Sequence, residues 1–296
     1  VFTVPDLLNP VIYSNQKLLY DVLYHAASAT LNELAKDAKY LGANIGYICI
    51  LHTWGSAMNY HPHIHTIVLG GGLDDENKWK ETGGKFFLPY GVISKVFRGK
   101  YLDELKSLWN DSKLKFHGTA EKYQNSYRFK ELLDKCYEKN WVTYCKETFN
   151  GAQSVINYLG KYTHRIAISN HRIKSMTDTT VTYVVKDYKN EGCWKEKTIS
   201  GEEFIRRFMM HVPPKRFVRI RHYGLLSCRN KRKKITHCRN LLGCKKYIST
   251  LKNLNAVEMI RVLYHIDVCK CSSCGGNMVS PRKDKYSSSF RAHMRC

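Results

Sequence analysis

The stretch that decides the fold is Gly46-Tyr47-Ile48-Cys49-Ile50-Leu51-His52, followed after a polar break by His63-Ile64-His65-Thr66-Ile67-Val68-Leu69. Both halves are short, apolar and rich in β-branched residues, so each is predicted to be a strand. Residues 53–61 read as a loop, and Gly70-Gly71-Gly72 as the stop of the second strand. Two strands joined in this way predict an antiparallel pair. His63 and His65 are two apart, which on a strand points both imidazoles to one side while Ile64 faces the core. His52 ends the first strand, and antiparallel pairing across 53–61 would bring it to the same face. Three imidazoles on rigid strands can chelate a divalent ion and leave positions open for water and substrate oxygens. Nitrogen ligands suit Mn²⁺ or another transition ion better than Mg²⁺, although abundance can select Mg²⁺ in a cell. The competing reading is that these histidines only satisfy hydrogen bonds.

Outward from this pair, Leu19, Leu23, Ala26 and Ala27 recur at helical spacing and predict a helix over 16–36. Residues 90–110 and 120–139 also read as helical. Gly151 to Tyr162 carries an apolar stripe of Ala152, Val155, Ile156 and Leu159, again a helix. Thr179 to Val185 alternates as a strand. Glu202 to His211 reads as a short helix ended by Pro213-Pro214, and Phe217 to Leu226 as a last strand. The expected class is α+β, an antiparallel central sheet flanked by helices.

Tyr158 and Tyr162 stand at i and i+4, one above the other on the 151–162 helix, with Ser154, Lys161 and Arg165 on the same flank. A tyrosine hydroxyl, with a pKa of about 10, is a weak nucleophile at neutral pH. A metal that polarises a phosphate, with a Lys or Arg to steady developing charge, makes it competent. With 20 tyrosines in the chain, aromatic packing is the ordinary use of such a pair. Its weight comes from standing beside the histidine cluster in a basic chain.

That chain has 296 residues and a formal net charge of +23, from 48 Lys+Arg against 25 Asp+Glu. An acidic partner follows, nucleic acid before others. From Phe204 to Lys252 there are 15 Lys+Arg and no Asp or Glu. A merely solvated face normally mixes both signs, so this span is read as a phosphate-backbone track. Arg219, Arg221, Arg229, Lys231, Arg232, Lys233 and Lys234 are its candidate DNA contacts, together with Lys161 and Arg165. His61, before Pro62, is expected off the strand face, as a neighbour of the ligands or a DNA contact. No apolar run is long enough to span a bilayer. Eleven irregularly placed cysteines read as thiols of a reducing cytoplasm rather than a disulfide framework. The opening Val1-Phe-Thr-Val-Pro reads as the end of a strand already under way, with N-terminal sequence expected before it.

Taken in order, Leu51-His-Thr-Trp54, His61-Pro-His-Ile-His65 with Gly70-Gly-Gly-Leu73, Tyr158-Leu-Gly-Lys-Tyr-Thr-His-Arg-Ile-Ala-Ile-Ser-Asn170, Phe204-Ile-Arg-Arg-Phe208 and Phe217-Val-Arg-Ile-Arg-His-Tyr-Gly-Leu225 resemble the two-tyrosine HUH transposases of rolling-circle insertion sequences, over about residues 1–245. The resemblance implies His63 and His65 as the metal pair, with His52 as third ligand inferred from spacing and from related HUH enzymes. It implies Tyr158 and Tyr162 as nucleophiles that attack a phosphodiester in single-stranded DNA, form a 5′-phosphotyrosine link and free a 3′-OH. The link conserves the phosphodiester energy, so no ATP is needed. The implied fold has the histidine strand central and the tyrosine helix beside it. The partners implied are single-stranded element ends and target DNA in a bacterial cytoplasm at the nucleoid, with no membrane and no small-molecule substrate. Family members usually carry an N-terminal cysteine-rich zinc-binding segment, which would precede Val1. Pro213 and Arg216 stand where Leu and Gly would be expected. An HUH replication initiator or relaxase would share the chemistry. A DNA-binding remnant would lack it, and a metallohydrolase would use water in place of tyrosine.

The organisation expected is a catalytic domain over 1–226 and a basic DNA-binding tail over 227–296. In that tail Cys271-Ser-Ser-Cys274-Gly-Gly276 has the form of a zinc knuckle, which His293 and Cys296 would complete. It resembles the CPxCG ending common in the family, with Ser in place of Pro. Reduced thiols without a metal are the equal alternative.

Overall fold

The computed structural model describes residues 1–83, 88–145, 152–163, 167–187, 192–244, 251, 253–271 and 273–278, with backbone alone at 152 and 161–163. The strands are β1 (Phe2–Thr3), β2 (Asn44–Trp54), β3 (Tyr60–Leu73), β4 (Trp79–Glu81), β5 (Ile173–Met176), β6 (Thr180–Asp187), β7 (Cys193–Ser200) and β8 (Ile220–Gly224). The helices are α1 (Asn9–Ser14), α2 (Gln16–Lys36), α3 (Tyr90–Asn110), α4 (Ser126–Glu138), α5 (Ala152–Thr163), α6 (Gly201–Met209), α7 (Lys231–Leu241) and α8 (Ala256–Tyr264). Chain contacts divide into two units, Val1–Ile235 and Thr236–Cys296.

The first unit holds two antiparallel sheets. One runs β1-β3-β2-β8 with β4 added beside β3, and the other runs β5-β6-β7. The fold is α+β, as the alternation of strands and helical periods predicts. In the larger sheet the pleat sorts side chains by parity. Tyr47, Cys49 and Leu51 of β2, Ile64 of β3 and Phe2 of β1 turn to one face and are buried there. α2 covers that face. Its buried residues, from Leu19 through Ala35, surround most of its circumference, because α3 packs on it as well. Each large apolar side chain withdrawn from water here contributes roughly 1.5–3 kcal/mol. Two tyrosine hydroxyls of this core are partnered: Tyr24 Oη accepts from Leu51 N at 3.0 Å and donates to the Arg219 carbonyl, and Tyr47 Oη meets Ser28 Oγ at 2.7 Å.

Four boundaries differ from the sequence reading. β3 does not stop at Gly70 but runs on to Leu73, because the glycines serve strand contact. A Cβ on Gly72 would lie 2.6 Å from the Asn44 carbonyl oxygen, so only glycine lets β2 approach there. The break between β2 and β3 shrinks to residues 55–59, with a register shift between His52 and Trp54. The 120–139 helix is two pieces, a 3₁₀ segment Gly118–Gln124 and α4, divided at Asn125, whose side chain accepts from Arg128 N and caps α4. The last strand is shorter than expected, Ile220–Gly224.

The smaller sheet packs one face on α6. Tyr183 and Val185 of β6 are buried with Met58 and Ala167, against Phe204 and Phe208 of α6. α6 starts at Ser200, whose side chain accepts from Glu203 N at 3.2 Å. Among the described residues no helix is long and apolar enough to cross a membrane, and no described cysteine is in a disulfide.

Candidate active site

The face of the larger sheet opposite α2 carries the histidines. Pairing of β2 with β3 sets His52 directly across from His63 and Ile50 across from His65. All three rings therefore leave the sheet on one side, while Ile64 between them is fully buried on the other. One nitrogen from each of His52, His63 and His65 lies within 4.8 Å of the others. His52 and His65 are buried and His63 partly so.

The hydrogen bonds fix much of the chemistry. His63 Nδ1 sits 2.7 Å from the His61 carbonyl oxygen, an acceptor only, so Nδ1 carries the proton and Nε2 offers its lone pair. His63 Nε2 and His65 Nε2 are 3.1 Å apart. Two nitrogens each about 2.1 Å from one ion at tetrahedral or octahedral angles stand roughly 3.0–3.4 Å apart, so the pair fits a shared metal. Burial holds both imidazoles neutral, the ligating form: His63 is lowered to about 3 and His65 to about 2, and neighbouring histidines add to the shift. The donor set can hold a divalent metal, and three imidazoles favour a transition ion over a hard one.

α5 brings a tyrosine to this cluster. His65 Nδ1 and Tyr158 Oη are 2.8 Å apart, and their ring centroids 6.1 Å. Tyr158 is half-buried, while Ile156, placed on the helix's apolar stripe by the sequence, is 59% exposed. Val155 and Leu159 are the stripe residues that are partly buried. Tyr162 lies one turn further along α5, but its side chain and that of Lys161 fall outside the described residues, as does Arg165.

His61 is on β3 rather than off the strand face. Sharing parity with His63, it lies beside it, ring centroids 5.2 Å apart, with Nδ1 3.4 Å from Asp6 Oδ1. In the basic span, Arg229, Lys231, Arg232 and Lys233 are exposed and Lys234 partly so, at and within the start of α7. Arg219 is partly buried, its carbonyl bonded to Leu51 N at 2.9 Å. Arg221 turns to the α2 face, where it pairs with Asp21 and lies over the rings of Tyr24 and Phe217. In the second unit, Cys271 N donates to Gly276 O at 2.8 Å and Gly275 N to Cys271 O at 2.9 Å, closing a turn around Cys271 and Cys274. Backbone N–H groups of Cys274, then Ser273, hold the Cys271 thiol below its ordinary range. His293 and Cys296 lie outside the described residues.

Several residues that build the site have no mark in the sequence as site residues. Trp54 stacks on His52 at 4.3 Å and 18°. His211, buried at the end of α6, bonds Thr53 Oγ1 and the Met58 carbonyl oxygen, each at 3.2 Å, and so ties α6 to the histidine hairpin. Arg172 donates to the carbonyl oxygens of Ser56 and Val184, joining the smaller sheet to the same hairpin. The Trp54 contact is local and follows from the strand; the other two cross more than a hundred positions of chain, and no spacing reveals them.

A family model described as "Putative transposase" matches residues 46–234, more than half of the chain. The chain belongs to this transposase family. The match takes in β2, β3, α5, α6 and β8, the elements that assemble the site. Among curated proteins, this transposase-family chain is 40% identical over 244 residues to "Putative transposase y4qJ" of Sinorhizobium fredii, covering 82% of the chain and 61% of the relative. It is 29% identical over 282 residues to the "Transposase for insertion sequence element IS801" of Pseudomonas savastanoi pv. phaseolicola, covering 94% of the chain and 66% of the relative. The chain thus spans somewhat less than two thirds of the length of the relatives it matches. No solved structure matches it.

Proposed function

We propose that this chain cuts and rejoins single-stranded DNA at the ends of a rolling-circle insertion sequence, through a tyrosine–DNA intermediate of the HUH type. The observation that carries the reading is the 2.8 Å contact between His65 Nδ1 and Tyr158 Oη, beside three histidines suited to one metal. His52, His63 and His65 would hold Mg²⁺ or Mn²⁺, which when bound polarises the scissile phosphate and draws off its developing charge.

The protein's own part follows from atom roles. With its Nε2 engaged as a ligand, neutral His65 carries its proton on Nδ1 and donates it to Tyr158 Oη. That aims the oxygen, and the phenolic proton passes to water as the oxygen attacks. Tyr158 Oη attacks phosphorus, the P–O3′ bond breaks, the 3′ oxygen leaves as a hydroxyl by taking a proton from water, and the 5′ phosphate stays on the tyrosine. Attack by a free 3′-OH reverses the step and joins strands. Tyr162, at i+4, serves a second strand, with Lys161 and Arg165 steadying charge. Arg229 and Lys231 to Lys234 form the exposed part of a phosphate track, with Arg219 beside it. Arg221 is a structural cation, because Asp21 already answers its charge. Residues 1–226 form the catalytic domain. Residues 227–296 form a DNA-binding tail that acts in the cytoplasm at the nucleoid, and in it Cys271 and Cys274, with His293 and Cys296, hold zinc.

The test is incubation with labelled single-stranded DNA from the element's ends and Mn²⁺, followed by a denaturing gel. A labelled protein band is expected that EDTA abolishes and that the Tyr158→Phe, Tyr162→Phe double variant lacks. His63→Ala and His65→Ala are expected to lose cleavage and keep DNA binding. A band that survives the double variant, or cleavage by either histidine variant at the wild-type rate, overturns the reading.

A further inference from the structure

The smaller sheet has a face that the chemistry above does not use. Opposite its buried residues, β6 and β7 present Thr182, Thr198, Val184, Glu196, Lys186 and Trp194. Trp194 is 60% exposed, an unusual state for the largest apolar side chain. The Arg172 guanidinium lies 5.9 Å from its ring centre, and Lys186 is its direct cross-strand partner. The adjoining Lys195 pairs with Asp187 at 2.7 Å, and Glu196 stands further along the same face.

This surface is fastened to the active-site hairpin. Arg172 donates to Ser56 O as well as to Val184 O, Lys186 N donates to Ser56 Oγ at 2.6 Å, and Tyr183 Oη donates to Ala57 O at 3.3 Å. Residues 55–59 join the strand ends that bear His52 and His63. The sheet that carries this exposed indole thus shares hydrogen bonds with the hairpin that bears the histidines.

We propose that Trp194, flanked by Arg172 and Lys186, is a stacking platform for an unpaired base of the single strand held at the active site. Aromatic rings beside cationic groups bind single strands in this way, since every base has a π-face and its phosphate meets the cation. Bases inside a duplex are stacked on their neighbours and cannot use such a ring. The inference rests on the DNA reading given above.

Fluorescence anisotropy with an unstructured oligonucleotide and with a blunt duplex of the same sequence separates the two. Wild-type protein is compared with Trp194→Ala and Trp194→Phe, each checked by circular dichroism and thermal melting. Trp194→Ala is expected to weaken single-strand binding about tenfold, Trp194→Phe to restore most of it, and duplex binding to be unchanged. Wild-type single-strand affinity in Trp194→Ala, or an equal loss on duplex, overturns the platform and leaves the DNA reading standing. Failure of the wild-type protein to bind single strands overturns that reading, and the platform with it.

Discussion

His65 carries two assignments because an imidazole has two nitrogens. Nε2 faces His63 and Nδ1 faces Tyr158, so the proposed metal and the proposed nucleophile would share one ring. Trp54 stacks on His52 with ring centroids 4.3 Å apart. Trp54→Ala is expected to leave the fold intact and weaken Mn²⁺ binding about tenfold, the usual scale for a residue that supports a ligand. Calorimetric titration reads this, and unchanged affinity would show that the Trp54 stacking does not orient His52. Gly224 is a stricter case. Its φ is +57° and a Cβ there would collide with the Ile45 carbonyl oxygen. Gly224→Ala is expected to cost about 2–4 kcal/mol in denaturant unfolding, from left-handed backbone and clash together. A cost under about 0.5 kcal/mol, the range of a neutral surface change, would mean that β8 shifts freely.

At the scale of elements, period was legible and contact was not. The two-residue spacing of His63 and His65 placed them on one side of a strand, and the facing position of His52 followed once β2 and β3 paired. Helical spacing found α2, α3 and α5. The triple glycine misled because glycine ends strands and also lets them close up, and only the position of Asn44 across the gap tells which. The stripe on α5 misled at Ile156, since a repeat gives the direction of a face but not how much of it a neighbour covers. The docking of α6 through His211 and of the smaller sheet through Arg172 was illegible, because those partners meet only in three dimensions. α6 also depends on its cap. Ser200→Ala removes the acceptor for Glu203 N and is expected to cost about 1 kcal/mol, read as a lowered melting temperature. No change in melting would show that α6 is held by its packing and by the contacts of Arg207 and His211 without the cap.

For the whole molecule, the charge of +23 and the separation of buried from exposed thiols give solution tests. Cys49 and Cys136 are buried, each with its thiol pushed up to about 12 by desolvation, whereas Cys193 and Cys228 are exposed. Alkylation of the native protein is expected to label Cys193 and Cys228 within minutes and to spare Cys49 and Cys136 until denaturant is added. Early labelling of Cys49 would contradict the packing of β2 against α2. On the basic side, each phosphate neutralised on a single strand adds about −0.7 to the slope of log affinity against log salt. Replacing Lys231, Arg232 and Lys233 with glutamine is therefore expected to flatten that slope by about 2. An unchanged slope would remove α7 from the DNA track.

The central claim is that the tyrosine beside His65 becomes the covalent link to DNA. Trypsin separates the two candidates, because cleavage after Lys161 leaves Tyr158 in the peptide Glu147–Lys161 and Tyr162 in Tyr162–Arg165. The measurement is mass spectrometry of these peptides after reaction with single-stranded element-end DNA and Mn²⁺ and nuclease trimming. The account predicts a nucleotide phosphate on the Tyr158 peptide. Cleaved DNA with neither peptide modified, or with the adduct confined to Tyr162, would contradict it.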